Sequence, residues 1–131
     1  MSAPRQILFC NCTYAQVVPA AVKAQVLEKL CGSGQSFEAV ADLCEMSARQ
    51  EPALQRLAAA GSLKVAACYP RAVQWLFASA HAPLSSERTQ VLNMRIQSAD
   101  EVAAALLRQE LQPNLPPHTA PPPKSPPPAA L

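Results

Sequence analysis

The chain has 131 residues, half of them hydrophobic and only 15% charged, which is enough apolar material for one core and too little length for a multidomain machine. Eleven Lys and Arg against nine Asp and Glu leave a net charge of +2, far from the clustered basic surface that a phosphate backbone demands, so no nucleic-acid partner is expected. No apolar run approaches the roughly 20 residues of a membrane span and the opening MSAPRQILFCNC lacks a secretory apolar region, so the sequence reads as cytoplasmic, with no direct membrane insertion.

In chain order, Gln6-Ile-Leu-Phe9 is too short for a helix and reads as a buried strand. After the loop 10–17, Pro19 suits the first turn of a helix with Val22, Val26, Leu27 and Leu30 on one face, ended by Gly32. Residues 32–36 are turn material, and Phe37-Glu-Ala-Val40 alternates as a half-buried strand does. Ser47 with Gln50 offers a cap, but Pro52 argues that the next helix starts near 52, turns Leu54 and Leu57 inward and stops at Gly61. Leu63-Lys-Val-Ala-Ala67 is a strand, and Pro70 opens a helix whose buried face carries Val73, Leu76, Phe77 and Ala80. Val91-Leu-Asn-Met94 precedes a last helix, opened by the Ser98-x-x-Glu101 capping box and running through Val102, Leu106 and Leu107.

Strands alternating with helices imply an α/β fold: a small three-layer sandwich with a mostly parallel four-stranded sheet, flavodoxin-like or Rossmann-like. This domain spans residues 1–112. Nine of the 14 prolines lie beyond Gln112, which makes 113–131 a disordered proline-rich tail whose Pro123-Lys-Ser-Pro126 offers a ligand to a proline-recognising module.

In such sheets the functional crevice lies beyond the carboxyl ends of the strands, where strand order reverses. Four of the five cysteines fall there: Cys10 and Cys12 after the first strand, Cys44 after the second and Cys68 after the third. Cys31, closing the first helix, belongs to the opposite end and reads as a small apolar filler. Neighbouring strands are about 4.8 Å apart, so thiolates from adjacent strand ends can enclose one small metal centre. Four thiolates suit structural zinc or an iron-sulfur cluster. Zinc sites usually take sulfurs in pairs from C-x₂₋₄-C knuckles, whereas one C-x-C and two solitary cysteines favour a cluster. Buried cysteines are also common as inert core fillers, and without C-x-x-C a thioredoxin-type dithiol is disfavoured.

The series Phe9-Cys10-Asn11-Cys12, the lone Cys44 and Ala66-Ala67-Cys68-Tyr69-Pro70-Arg71 resembles the amino-terminal domain of the A subunit of heterodisulfide reductase over residues 6–80. The resemblance implies a 4Fe-4S cluster with Cys10, Cys12, Cys44 and Cys68 as ligands. Departures are Thr13 where that family has glycine, and Glu45 and Tyr69 where it usually has serine. With glycine only at 32, 34 and 61, no GxGxxG is present, so flavin binding in that family's manner is not expected.

Neither His81 nor His118 has a partner for nucleophilic catalysis, and Asp42 and Glu45 beside Cys44 read as solvated or helix-capping. Arg71 and Lys64 are candidates for tuning a thiolate cluster, and Trp75 for a docking anchor on the side of its helix away from Phe77. The leading expectation is a small 4Fe-4S electron carrier or accessory subunit without catalytic activity of its own, serving a larger flavin or iron-sulfur oxidoreductase. The alternatives are a structural zinc module and a metal-free interaction scaffold.

Overall fold

The computed structural model of the chain describes residues 5–13, 16–59 and 61–116. The elements run β1 (Arg5–Cys10), α1 (Ala20–Ser33), β2 (Glu38–Val40), α2 (Leu43–Ala48), α3 (Pro52–Ala58), β3 (Ser62–Ala67), α4 (Pro70–Ser79), β4 (Thr89–Asn93) and α5 (Ala99–Leu107). The four strands form one all-parallel sheet in the order β2-β1-β3-β4. Parallel neighbours need crossovers over the sheet, and crossovers of one hand that travel left from β1 and right from β3 cover opposite faces. Accordingly α1 packs with α5, and α4 packs with α2 and α3. The order 2-1-3-4 is the flavodoxin-like option, with its switch point between β1 and β3.

The two central strands read as continuous apolar runs because both of their faces are covered. Leu8, Val65 and Ala66 are fully buried, under Val26 and Leu30 of α1, Val73 and Phe77 of α4, and Val102 and Leu106 of α5. The capping box of α5 is formed: Ser98 Oγ accepts from the Glu101 amide at 3.1 Å, and the Glu101 carboxylate accepts from the Ser98 amide at 3.0 Å. Pro70 opens α4 as expected, with Phe77 buried and Trp75 46% exposed.

Three expectations change. Helix α1 runs past Gly32 and ends at Gly34, whose φ of +81° is the left-handed conformation that a helix stop of this kind uses. The stretch after β2 is not all loop: Asp42 caps the short helix α2 by accepting from the Glu45 amide at 3.1 Å, and the chain then turns before Pro52 starts α3. Pro113–Pro116, assigned to the tail by composition, lie along β4, where Asn114 bonds to Thr89 and Val91. The remaining tail expectation, residues 117–131, and with it His118 and Pro123–Pro126, lies outside the described residues. Among the described residues no helix is long and apolar enough to cross a membrane.

Candidate functional site

The loop after β1 is stitched to the end of β2, because the Asn11 amide donates to Val40 O at 2.9 Å and the Thr13 amide to Ala41 O at 2.8 Å. These bonds extend the β1–β2 ladder beyond its last register pair, Cys10 with Val40. Asn11 Nδ2 donates to Thr13 Oγ1 at 2.9 Å, and Lys23 of α1 donates to Asn11 O at 2.7 Å. Between them Cys12 takes a φ of +55°, a conformation that costs an L-residue with a side chain about 1 kcal/mol or more. That turn leaves the Cys12 side chain buried.

Cys10, Cys12, Cys44 and Cys68 line one crevice at the carboxyl end of the sheet, together with Asp42 and apolar walls that include Val18, Leu43, Val73 and Leu76. Each cysteine arrives by a different local device. Cys10 ends β1, Cys12 follows on the left-handed turn, Cys44 sits in the first turn of α2, and Cys68 joins β3 to α4. Cys10 and Cys12 are buried, Cys68 is half-buried and Cys44 is exposed. Cys31 is exposed on α1 and takes no part, so its expected role as a buried filler does not hold.

Two sulfurs accept backbone hydrogen bonds, Cys10 Sγ from the Leu43 amide at 3.4 Å and Cys12 Sγ from the Val17 amide at 3.3 Å. Desolvation pushes the Cys10 thiol up to about 11 in spite of the Leu43 amide. Burial also raises Cys44, with the Asp42 carboxylate and the Cys68 and Cys12 thiols adding to it. Cys68 is raised by burial, while the Tyr69 amide and the Arg95 guanidinium pull the other way. In the metal-free protein these three are therefore neutral thiols at pH 7. The crevice is narrow, about 20 Å³, near the space of one water-sized sphere. Among the described residues no three His, Cys, Asp or Glu side chains stand as a ready metal-binding group.

The residues weighed as modifiers fall differently. Lys64 does not line the crevice: fully buried in β3, its Nζ donates to Ala105 O at 2.7 Å and Arg108 O at 2.6 Å, holding the carbonyl end of α5. Arg71 is exposed in the first turn of α4. The cations near the cysteines are instead Lys23, bonded between Cys10 and Cys12, and Arg95, whose guanidinium lies 5.1 Å from the centre of the Tyr69 ring. Neither carries a local motif, since both reach the site through tertiary packing. Asp42 is 1% exposed. Its signal was the Asp-x-x-Glu start of α2, a capping pattern. His81 sits just past α4 with a φ of +62°, an exposed helix-end residue as expected.

No protein-family model, no curated protein and no solved structure matches the chain.

Proposed function

We propose that Cys10, Cys12, Cys44 and Cys68 bind a 4Fe-4S cluster and that the protein serves as a small electron carrier or accessory subunit of a larger flavin or iron-sulfur oxidoreductase. The observation that carries this reading is the convergence of four cysteines from three parallel strand ends on one apolar crevice at the switch point of the sheet. The donor set fits: four soft sulfurs, two already accepting backbone N–H bonds of the kind that stabilise thiolates around a cluster. A bound cluster would supply one-electron transfer. The chain's own contribution is to hold the sulfurs, to shield them with Val18, Leu43, Val73 and Leu76, and to offset negative charge with Lys23 and Arg95. The resemblance to the heterodisulfide reductase domain names the same four ligands and a partner class. Substrate chemistry would belong to that partner.

A structural zinc ion is the second reading. The narrow crevice favours it, because one ion needs less opening than a four-iron cube. Anaerobic purification with iron, sulfide and zinc analysis, a visible spectrum and paramagnetic resonance of the dithionite-reduced protein separates the two. About four iron and four sulfide per chain, with a band that bleaches on reduction, is the expected result. One zinc without colour makes the site structural, and thiols that react freely in a fully stable metal-free protein leave a scaffold.

A further inference from the structure

Along β4, on the face covered by α5, lies a cleft of about 770 Å³, within the range of about 300–1,000 Å³ typical of small-ligand sites. It shares no lining residue with the cysteine crevice. Gln90 and Leu92 of β4 form its floor, α5 gives one wall, and the returning residues 112–114 give the other. The floor holds a donor without an acceptor. Gln90 is only 6% exposed. Its Oε1 accepts from the Gln112 amide at 3.1 Å, while its Nε2 meets no acceptor among the described residues. A buried carboxamide hydrogen left unpaired is costly, and an acceptor on a ligand in the cleft removes that cost.

The two ends of the cleft carry charge of opposite sign. Lys64, the register partner of Gln90, donates to Arg108 O, so Gln90 lies under the end of α5 where Arg108 lines the cleft. Among the described residues the Arg108 guanidinium has no carboxylate partner. Lys64 also takes Ala105 O, which covers the negative end of the helix where it would otherwise repel an anion. At the other end, Asp100 and Glu101 line the cleft from the first turn of α5. Asp100 holds Lys29 through Oδ1 at 3.1 Å, and Glu101 accepts from the Ser98 amide through Oε1 at 3.0 Å. Among the described residues each carboxylate keeps its second oxygen for a ligand.

The spacing selects that ligand. Asp100 and Arg108 stand about 12 Å apart along the helix at 1.5 Å per residue, and three extended residues span about 10 Å. Between the ends Ala104 leaves room, and Gln97 and Gln112 add carboxamides, groups that pair with peptide N–H and C=O. We propose that this cleft binds a short peptide of about three residues with free ends, its carboxylate on Gln90 Nε2 and Arg108 and its ammonium on Asp100 and Glu101. The proposal is independent of any metal at the cysteines.

The test sets trialanine, its N-acetyl form and its carboxyl amide against the full chain, with heteronuclear NMR of the Gln90 side-chain NH2 and the α5 amides as the readout. Trialanine is expected to shift both sets saturably at millimolar concentration or below, and each blocked peptide to bind about tenfold more weakly. Arg108→Gln changes an exposed side chain and leaves the backbone carbonyl that Lys64 holds. It is expected to lose most of the preference for trialanine over its amide. Gln90→Glu keeps the acceptor for the Gln112 amide, loses the donor and is expected to lose trialanine binding. Should that variant not fold, Arg108→Gln and the blocked peptides decide. A wild type without saturable shifts overturns the proposal. So do shifts that spare Gln90, equal binding of the blocked peptides, a folded Gln90→Glu protein that binds as before, or an Arg108→Gln protein that keeps the full preference for the free carboxylate.

Discussion

The amide of Leu43 donates to the sulfur of Cys10 at 3.4 Å, tying the first residue of α2 to the last residue of β1. Burial nonetheless lifts this thiol from 9.0 to about 11. The folded state then holds the proton more tightly than the unfolded chain does. The resulting stability is fully present below pH 9.0 and is lost as pH rises through about 11. Cys44 and Cys68, also raised, act in the same direction. Urea unfolding of reduced, metal-free protein should lose about 3 kcal/mol over that window, and Cys10→Ala should remove most of that slope. An unchanged slope in the variant would place the alkaline loss elsewhere.

The left-handed Cys12 makes a different prediction, because removing its thiol has two effects that can be separated. Cys12→Gly and Cys12→Ala both abolish any sulfur ligand at that position. Glycine tolerates a φ of +55° and alanine does not, so the glycine variant should be the more stable by about 1 kcal/mol. At an ordinary strand-end position alanine would be at least as stable as glycine, so the order of the two midpoints in urea decides the matter.

For Lys64, substitution by methionine keeps the length of the side chain and removes the donor to Ala105 O and Arg108 O. Two carbonyls at the end of α5 lose a charged partner that is itself buried, at an expected cost of about 2 kcal/mol, although the lost desolvation penalty of the ammonium returns part of it. Hydrogen exchange should quicken in α5 and not in the loop around Cys12. Metal content should not change, which distinguishes a helix-holding lysine from one that tunes the cysteines.

Cys31→Ser should retain all metal and nearly all stability, since Cys31 is exposed on α1, outside the crevice. Cys68→Ser should lose most of the metal while keeping the fold, because its side chain is only half-buried. Iron, sulfide and zinc analysis of the two variants beside the wild type tests both statements, and metal loss on replacing Cys31 would contradict the site assigned here.

The fold was legible in the sequence wherever pattern and punctuation agreed, as at Ser98-x-x-Glu101 or at Pro70 after an apolar strand. The grouping of Cys10, Cys12, Cys44 and Cys68 followed from topology alone, since strand ends of a parallel sheet share one side. What escaped was set by tertiary contact. A lysine in the middle of an apolar strand gives no hint that helix carbonyls wait above it. Arg95 comes to act on Cys68 because the turn after β4 brings its guanidinium over the Tyr69 ring. Helix α2 was missed for a simpler reason: six residues are too few to display a period, and Pro52 drew the helix start past the Asp42 cap.

The partnership of α1 with α5, marked by the Lys29–Asp100 ion pair at 3.1 Å, joins the first and last helices among the described residues. A nascent chain leaving the ribosome from its amino end can complete the face built on α2, α3 and α4 first, while the α1 side still lacks half of its cover. Val26 and Leu30 must wait for Val102 and Leu106 to be synthesised, so the final commitment to the native state falls after translation has passed residue 107. A ribosome stalled before α5 has emerged would present an uncovered apolar flank to chaperones.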